Sequence, residues 1–271
     1  MSSSKKLPFQ TPDLTVEELT SALYRSNLAL DRVNKELLRL QKEQADLFAN
    51  LTHDLRSPIS VIRAEIEYIL SDSSISVTEI WDSLKKLLTR TKFLEQLIHD
   101  ILLLSTVESK EHPVVLECIP IGIFLEEFFY HNLETSSFTA RHLILDVPPD
   151  FPCQVMADTK LLQRVLDNLF SNALKYSSDG ASITLSAERN GSFVVIAVKD
   201  TGIGISKEHL PHIFERSYMA DDSRTPADTT GYGLGLSIVK AIVTRLGGTI
   251  WCNSILQAGS SFSFTLPVYI P

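Results

Sequence analysis

The sequence predicts two architectures in series: an α-helical hairpin that forms a dimeric four-helix bundle, preceded by a coiled coil, and then an α+β sandwich. Three observations predict it. Apolar residues recur at alternating spacings of three and four from Val16 to Leu51, a second wide apolar helical pattern follows the polar run SDSSIS, and beyond Val114 strand-like and helix-like segments mix. The division this implies is residues 1–15 as a disordered tail, 16–110 as coiled coil and helical hairpin, and 111–271 as the sandwich.

The first element rests on Val16, Leu19, Leu23, Ser26, Leu30, Val33, Leu37, Leu40, Gln44, Leu47 and Leu51, a heptad seam over five repeats. Such a seam predicts a left-handed coiled coil with a second copy of the chain. Within it lies NLTHDLRSP, from Asn50 to Pro58. A step of about 100° per residue from the seam centre turns His53 to the far side of the helix, toward water. Pro58 has no N–H for the carbonyl of Asp54, so the helix should loosen or kink one turn after His53. By itself the segment is read equally as a solvent-facing histidine beside an unrelated proline.

The helix is expected to run to about Leu70, with SDSSIS as the turn. A second helix, about 78–108, carries Leu84, Leu87, Leu94, Ile98 and Ile101 on one face, widened by Trp81, Leu88, Leu97, Leu102 and Leu104. Two such helices, doubled, make a four-helix bundle. After SKEHP come strand-like VVLECI, LILDV, SITLSAE, FVVIAVKD, TIWCNSI and SFSFTLPV, with helical patterns at about 124–138, 160–176 and 234–246. SITLSAE and FVVIAVKD read as a hairpin across Asn190-Gly191, so a mostly mixed sheet is expected.

Composition narrows the function. With 44% hydrophobic and 21% charged residues the chain can bury a proper core. Its apolar runs are strand-sized and MSSSKK lacks the apolar region of a secretory signal, so a soluble, cytoplasmic chain without membrane contact of its own is expected. Cys118, Cys153 and Cys252 suggest neither a disulfide framework nor a zinc site. A net charge of −8 argues against nucleic acid as a partner.

Four segments of the second region carry unusual chemistry. In LLQRVLDNLFSNALKYS, Asn168, Asn172 and Lys175 share a helix face, with Tyr176 beside the last. An amide oxygen is a hard ligand suited to Mg²⁺ when phosphates supply the negative charge, and a lysine would neutralise them; two solvent-facing asparagines are the alternative. In KDTGIGIS, Asp200 at a strand end could accept a hydrogen bond from an exocyclic amine such as adenine's, while Gly202 and Gly204 let a ligand approach the backbone. A tight turn explains that pattern nearly as well. In GYGLGLSIVKAIV, Gly231, Gly233 and Gly235 lead into a helix whose first N–H groups suit a phosphate. It is no P-loop, lacking Gly-Lys-Ser/Thr, and no acid follows residue 230 to serve a dinucleotide fold. Between them, residues 217–230 are polar and long enough to be a lid, with glycines at the C-terminal end as a hinge.

Taken in order, HDLRSP, NLFSNALKY, DTGIG, FERSY, GYGLGL and GSSFSF resemble the boxes of the sensor histidine kinases of two-component systems, from about Leu30 to Leu266. The resemblance implies a two-layer ATP-binding sandwich like that of gyrase-type ATPases and the large heat-shock chaperone. It implies Mg²⁺ and ATP, a homodimer, and an aspartate on a response regulator receiver as the phosphoryl acceptor. By that resemblance His53 is the phosphoacceptor and Asp54 orients or deprotonates it. Asn172 is the Mg²⁺ ligand; Asn168, Lys175, Tyr176, Asp200, Gly202, Gly204, Arg216, Gly231, Gly233, Gly235 and Leu236 surround ATP. An outward histidine then makes sense, because two separate domains must reach it. Ser57 stands where relatives usually carry the Thr or Asn of response-regulator phosphatase activity, and Ser217 and Met219 replace an aromatic and a basic residue of the lid. A degenerate receiver-binding scaffold and a gyrase- or chaperone-like ATPase are the competing readings.

Overall fold

A computed structural model describes residues 15–71, 75–109, 113–133, 140–219 and 233–270. The chain divides into two compact units, Met1–Thr52 and His53–Pro271. The expected tail at 1–15 lies almost wholly outside the described residues.

Helix α1 (Val16–Ser71) passes through that division. Thr15 and Glu18 close its first turn reciprocally: the Thr15 N–H donates to Glu18 Oε2 at 2.8 Å and the Glu18 N–H to Thr15 Oγ1 at 3.3 Å. Val16, Leu19, Leu23, Leu30, Val33 and Leu37 of the seam are exposed, an apolar stripe that a lone helix leaves in water. The helix continues unbroken through Pro58, so the expected loosening is not a break. One proline removes one i→i−4 bond, and Pro58 is itself buried, so packing on the ring sustains the helical path.

In the second unit α2 (Val77–Glu108) begins at a capping box: the Ser76 side chain accepts from the Glu79 N–H, and the Glu79 carboxylate accepts from the Ser76 N–H. The two helices are tied at Glu65 of α1, whose Oε1 accepts from Ser83 Oγ at 2.7 Å and from Lys86 Nζ at 3.3 Å. Leu97, Leu104 and Val107 of α2 are buried, whereas Trp81, Leu84, Leu88, Ile98 and Leu102 are exposed.

The remainder follows as β1 (Glu117–Pro120), α3 (Ile121–Leu133), β2 (His142–Asp146), β3 (Gln154–Ala157), α4 (Thr159–Lys175), β4 (Ser182–Asn190), β5 (Phe193–Asp200), α5 (Gly235–Arg245), β6 (Ile250–Ile255) and β7 (Gly259–Pro267). The main sheet has the order β2-β4-β5-β7-β6; β2 lies parallel to β4 and the other neighbours are antiparallel, so it is mixed as expected. β1 and β3 form a separate antiparallel pair. β4 and β5 join through Gly191, whose φ of +60° suits the turn.

Strict alternation in β4 and β5 puts Ile183, Leu185, Ala187, Val194, Ile196 and Val198 on the buried face, with Phe262, Phe264 and Leu266 of β7 beside them. Leu162, Val165, Leu166, Leu169 and Phe170 of α4 and Ile238, Val239, Ile242 and Val243 of α5 are equally buried. The result is a helical layer on one sheet face, each large side chain contributing about 1.5–3 kcal/mol by burial. Phe128 of α3 meets Phe170 edge-on at 4.9 Å between centroids. Two expectations shift. VVLECI yields only the four residues of β1, and the helix expected from 124 begins at Ile121. β3, four residues long, was not expected, because so short a run carries no readable period.

Candidate functional site

Asp200 ends β5, a middle strand of the sheet, and is 5% exposed. Its Oδ1 accepts the Gly202 N–H at 2.8 Å and the Ser260 N–H at 3.3 Å. Oδ2 takes no hydrogen bond from any other described residue. Burial pushes the carboxyl above the usual aspartate range, and those N–H groups oppose the shift. One carboxylate oxygen thus takes two backbone donors, and the other takes none from the other described residues.

Both glycines after Asp200 are required by close approach. A Cβ at Gly202 would lie 2.1 Å from the carbonyl oxygen of Tyr176, and one at Gly204, where φ is +68°, 2.1 Å from that of Ile255. The Ile203 N–H donates to Tyr176 O at 3.1 Å. The DTGIG loop therefore lies on the C-terminal end of α4 on one side and on the β6–β7 turn on the other.

α4 is capped by Asp158, which accepts from the Lys160 and Leu161 N–H groups. Asn168, Asn172 and Tyr176 are half-buried and Lys175 is exposed, its Nζ 4.9 Å from the Tyr176 ring centroid. Asn168 donates its amide N–H to Arg164 O at 2.9 Å, and its Oδ1 would sit 2.9 Å from a Cβ at Gly235. Gly235 therefore lets α5 start directly beside α4. The N-cap of α5 is the buried Leu234, which gives no side-chain cap, in contrast to Ser76 and Asp158 on α2 and α4. A helix start without a side-chain cap is one that suits an anion.

Gly233 has a φ of +70°, and a Cβ there would lie 2.7 Å from the Ser217 carbonyl carbon. Phe214, just before the expected lid, packs edge-on against Phe262 at 6.4 Å, and Tyr218, its second residue, has its hydroxyl 2.8 Å from His209 Nδ1. Residues 220–230 of that lid, and Gly231 just after it, lie outside the described residues. Arg216 is paired with Glu108 of α2.

Of the expected residues, Tyr176 at the end of α4 thus meets Gly202 beyond β5, and Asn168 in the middle of α4 meets Gly235 at the start of α5, with Gly233 just before it and Leu236 in its first turn; Asn172 lies between Asn168 and Tyr176 on α4, and Gly204 follows Asp200 and Gly202 in the DTGIG loop. His53 and Asp54 lie in α1, with side chains outside the described set, and Ser57 is exposed beside Pro58. Sequence reading missed Ser260, Gly259 and Ser254 as parts of the site. GSSFSF was visible as a box, but nothing local says that its backbone reaches Asp200. Among the described residues no group of three or more His, Cys, Asp or Glu could hold a metal. A cation here fits only as a hard ion held jointly by an amide oxygen such as that of Asn172 and by ligand phosphates.

Two family matches divide the chain in the same order. The family described as "His Kinase A (phospho-acceptor) domain" covers residues 43–110, and "Histidine kinase-, DNA gyrase B-, and HSP90-like ATPase" covers residues 157–270. Sensor histidine kinase WalK of Bacillus subtilis is 33% identical over 84% of this chain and 37% of its own length. Adaptive-response sensory kinase SasA of Crocosphaera subtropica is 34% identical over 95% of this chain and 70% of its own. This chain therefore spans just over a third of the first relative. Among solved structures, the Acinetobacter baumannii histidine kinase AdeS superposes with a TM-score of 0.62 at 25% identity, over 80% of this chain and 98% of that one. A phospho-acceptor helix region followed by this ATPase sandwich, shared with SasA along most of both chains, makes this chain a member of the sensor histidine kinases, the ATP-dependent protein-histidine kinases of two-component systems.

Proposed function

We propose that the chain transfers the γ-phosphoryl group of ATP to His53 and then to an aspartate of a response regulator receiver. The observation that carries the nucleotide half is Asp200, whose Oδ1 is taken by the Gly202 and Ser260 N–H groups while Oδ2 stays open for the exocyclic amine of adenine. The uncapped start of α5 lies beside Asn168 and suits the phosphates. Asn172, Lys175, Tyr176, Gly202, Gly204, Arg216, Gly231, Gly233, Gly235 and Leu236 complete the nucleotide site in this reading. Asn172 would hold Mg²⁺, which neutralises phosphate charge when bound.

In the chemical step a neutral nitrogen of His53 forms the N–P bond as the bond from γ-phosphorus to the β,γ-bridging oxygen breaks and ADP leaves. Asp54 takes the other imidazole proton or holds its tautomer. Positioning supplies most of the acceleration, as in phosphoryl transfer generally. The second step moves the phosphoryl group to a receiver carboxylate and restores the histidine, and Ser57 is the candidate for orienting the water that hydrolyses the receiver's aspartyl phosphate to carboxylate and inorganic phosphate. Residues 16–110 form the dimerisation and phosphotransfer part and 111–271 the ATP-binding part. The exposed seam on α1 and the exposed Trp81, Leu84 and Leu88 on α2 support a homodimer. No described helix is long and apolar enough to cross a membrane, which supports a cytoplasmic placement, either as part of a membrane sensor or as a separate kinase.

The test is incubation with Mg²⁺ and γ-labelled ATP beside His53→Gln, scoring label stable to alkali and lost in acid. Label on the wild type alone supports the proposal. ATP hydrolysis without a phosphoenzyme favours a plain ATPase, and ATP binding with neither outcome favours a scaffold.

A further inference from the structure

The Ser254 hydroxyl, at the end of β6, has all three of its hydrogen-bonding positions occupied. It accepts the Ile205 N–H at 2.8 Å, donates to the Gly259 carbonyl at 2.8 Å, and lies 2.9 Å from Ser260 Oγ. Because its one proton goes to Gly259, Ser260 is the donor in the third contact. Around this hub the DTGIG loop and the β6–β7 turn touch backbone to backbone. The Gln257 N–H donates to Ile203 O at 2.6 Å, and a Cβ at Gly259 would fall 2.1 Å from Asp200 O. The Ser260 N–H is one of the two donors on Asp200 Oδ1. Ser254 thus links the start of β7, whose Ser260 N–H reaches the carboxylate, to the loop that follows Asp200, without touching the carboxylate itself.

We infer that Ser254 is a specificity-determining positioning residue: it holds the β6–β7 turn against the DTGIG loop so that Asp200 presents Oδ2 in one orientation, selecting a purine with an exocyclic amine, as in ATP, over one with a carbonyl at that position, as in GTP. The inference rests on reading the site as an adenine-nucleotide site. Only a fixed carboxylate discriminates, because a mobile one turns away from the guanine carbonyl and both purines are then accepted. With the hydroxyl removed, the Ile205 N–H loses its partner and the turn is free to shift.

The experiment is titration calorimetry of the full chain with ATP and with GTP, both with Mg²⁺, for wild type, Ser254→Ala and Ser254→Thr. Ser254→Ala should weaken ATP binding about tenfold, the loss of one or two hydrogen bonds, and GTP binding less than about twofold. Ser254→Thr keeps the hydroxyl and should restore the wild-type ratio. Label incorporation should show a raised KM for ATP with kcat nearly unchanged. An unchanged ATP to GTP ratio overturns the inference, whether affinity is kept or lost equally for both, since equal loss is what a merely loosened fold produces. If Ser254→Ala does not fold, Ser260→Ala, which removes one bond of the hub and keeps the N–H on Asp200, carries the same comparison. A wild type that binds neither nucleotide removes the functional reading itself. A wild type that binds ATP beside a Ser254→Ala of equal selectivity removes only this inference.

Discussion

Asp100 of α2 and Arg164 of α4 form an ion pair that ties the helical hairpin to the sandwich, with Gln96 donating to the same carboxylate oxygen at 3.0 Å. The Asp100 side chain is 5% exposed and that of Arg164 is 26%, so the pair is mostly, not wholly, removed from water. Arg164→Met removes the Arg164 cation from a buried carboxylate that keeps its Gln96 hydrogen bond, and should cost about 2–3 kcal/mol, somewhat under the usual figure for a fully buried pair. The double change Asp100→Leu, Arg164→Met should cost less than the sum of the singles. Urea unfolding of all four proteins measures this, and additive losses would show the two residues to be uncoupled.

Arg216, expected at the phosphates, is held by Glu108, with side chains 37% and 40% exposed. A pair so open is worth at most about 1 kcal/mol. Glu108→Gln removes the competitor for the guanidinium and should tighten ATP binding by up to about fivefold, while Arg216→Ala should weaken it. Equal ATP affinity for wild type and Glu108→Gln would mean that Arg216 does not serve the nucleotide.

Burial raises the Asp200 carboxyl above its unfolded value. The unfolded chain gives up that proton more readily, so at neutral pH the ionised group opposes folding, and this cost fades as pH falls through the raised pKa. Asp200→Asn should therefore melt higher than wild type at pH 7, with the gap closing toward acid, and should lose ATP binding. Calorimetric melting across pH decides this. A variant less stable than wild type at pH 7 would assign the two N–H bonds to Oδ1 more weight than the burial.

Burial, with the charge of Asp200 second, pushes the Cys252 thiol on β6 up to about 12. At pH 8 only about one molecule in 10⁴ then carries the thiolate. Iodoacetamide should modify the exposed Cys118 first and reach Cys252 only on unfolding or in strong alkali. Peptide mass mapping would reveal early Cys252 modification, which would contradict this.

Leu30 and Leu37 of the seam are exposed on α1. Leu30→Asp with Leu37→Asp places charges where a second helix is expected and should give monomers in analytical ultracentrifugation. A dimer that persists would assign the assembly to the 53–108 hairpin alone.

Much of the fold was legible because its signals are local. The seam from Val16 to Leu51 is a spacing, the hairpin at Asn190-Gly191 is a dipeptide between alternating strands, and the order of boxes from HDLRSP to GSSFSF survives any folding detail. Some elements carried no local signal. QVMA has no readable period, yet it pairs with β1, while α1 runs on through Pro58 as the expected length to about Leu70 requires.

The sequence by itself determined which residues could serve the chemistry: an imidazole, two amides, two acids and a set of glycines in a particular order. Tertiary structure decided what orients them. Ser260 reaches Asp200 across 60 residues of chain and Ser254 reaches Ile205 across 49, while Gly202 must be bare because Tyr176, at the end of a different element, comes against it. Periodicity and turn chemistry describe neighbours along the chain. Which oxygen of Asp200 is saturated and which stays open depends on hydrogen bonds between segments that only the packed sheet brings together.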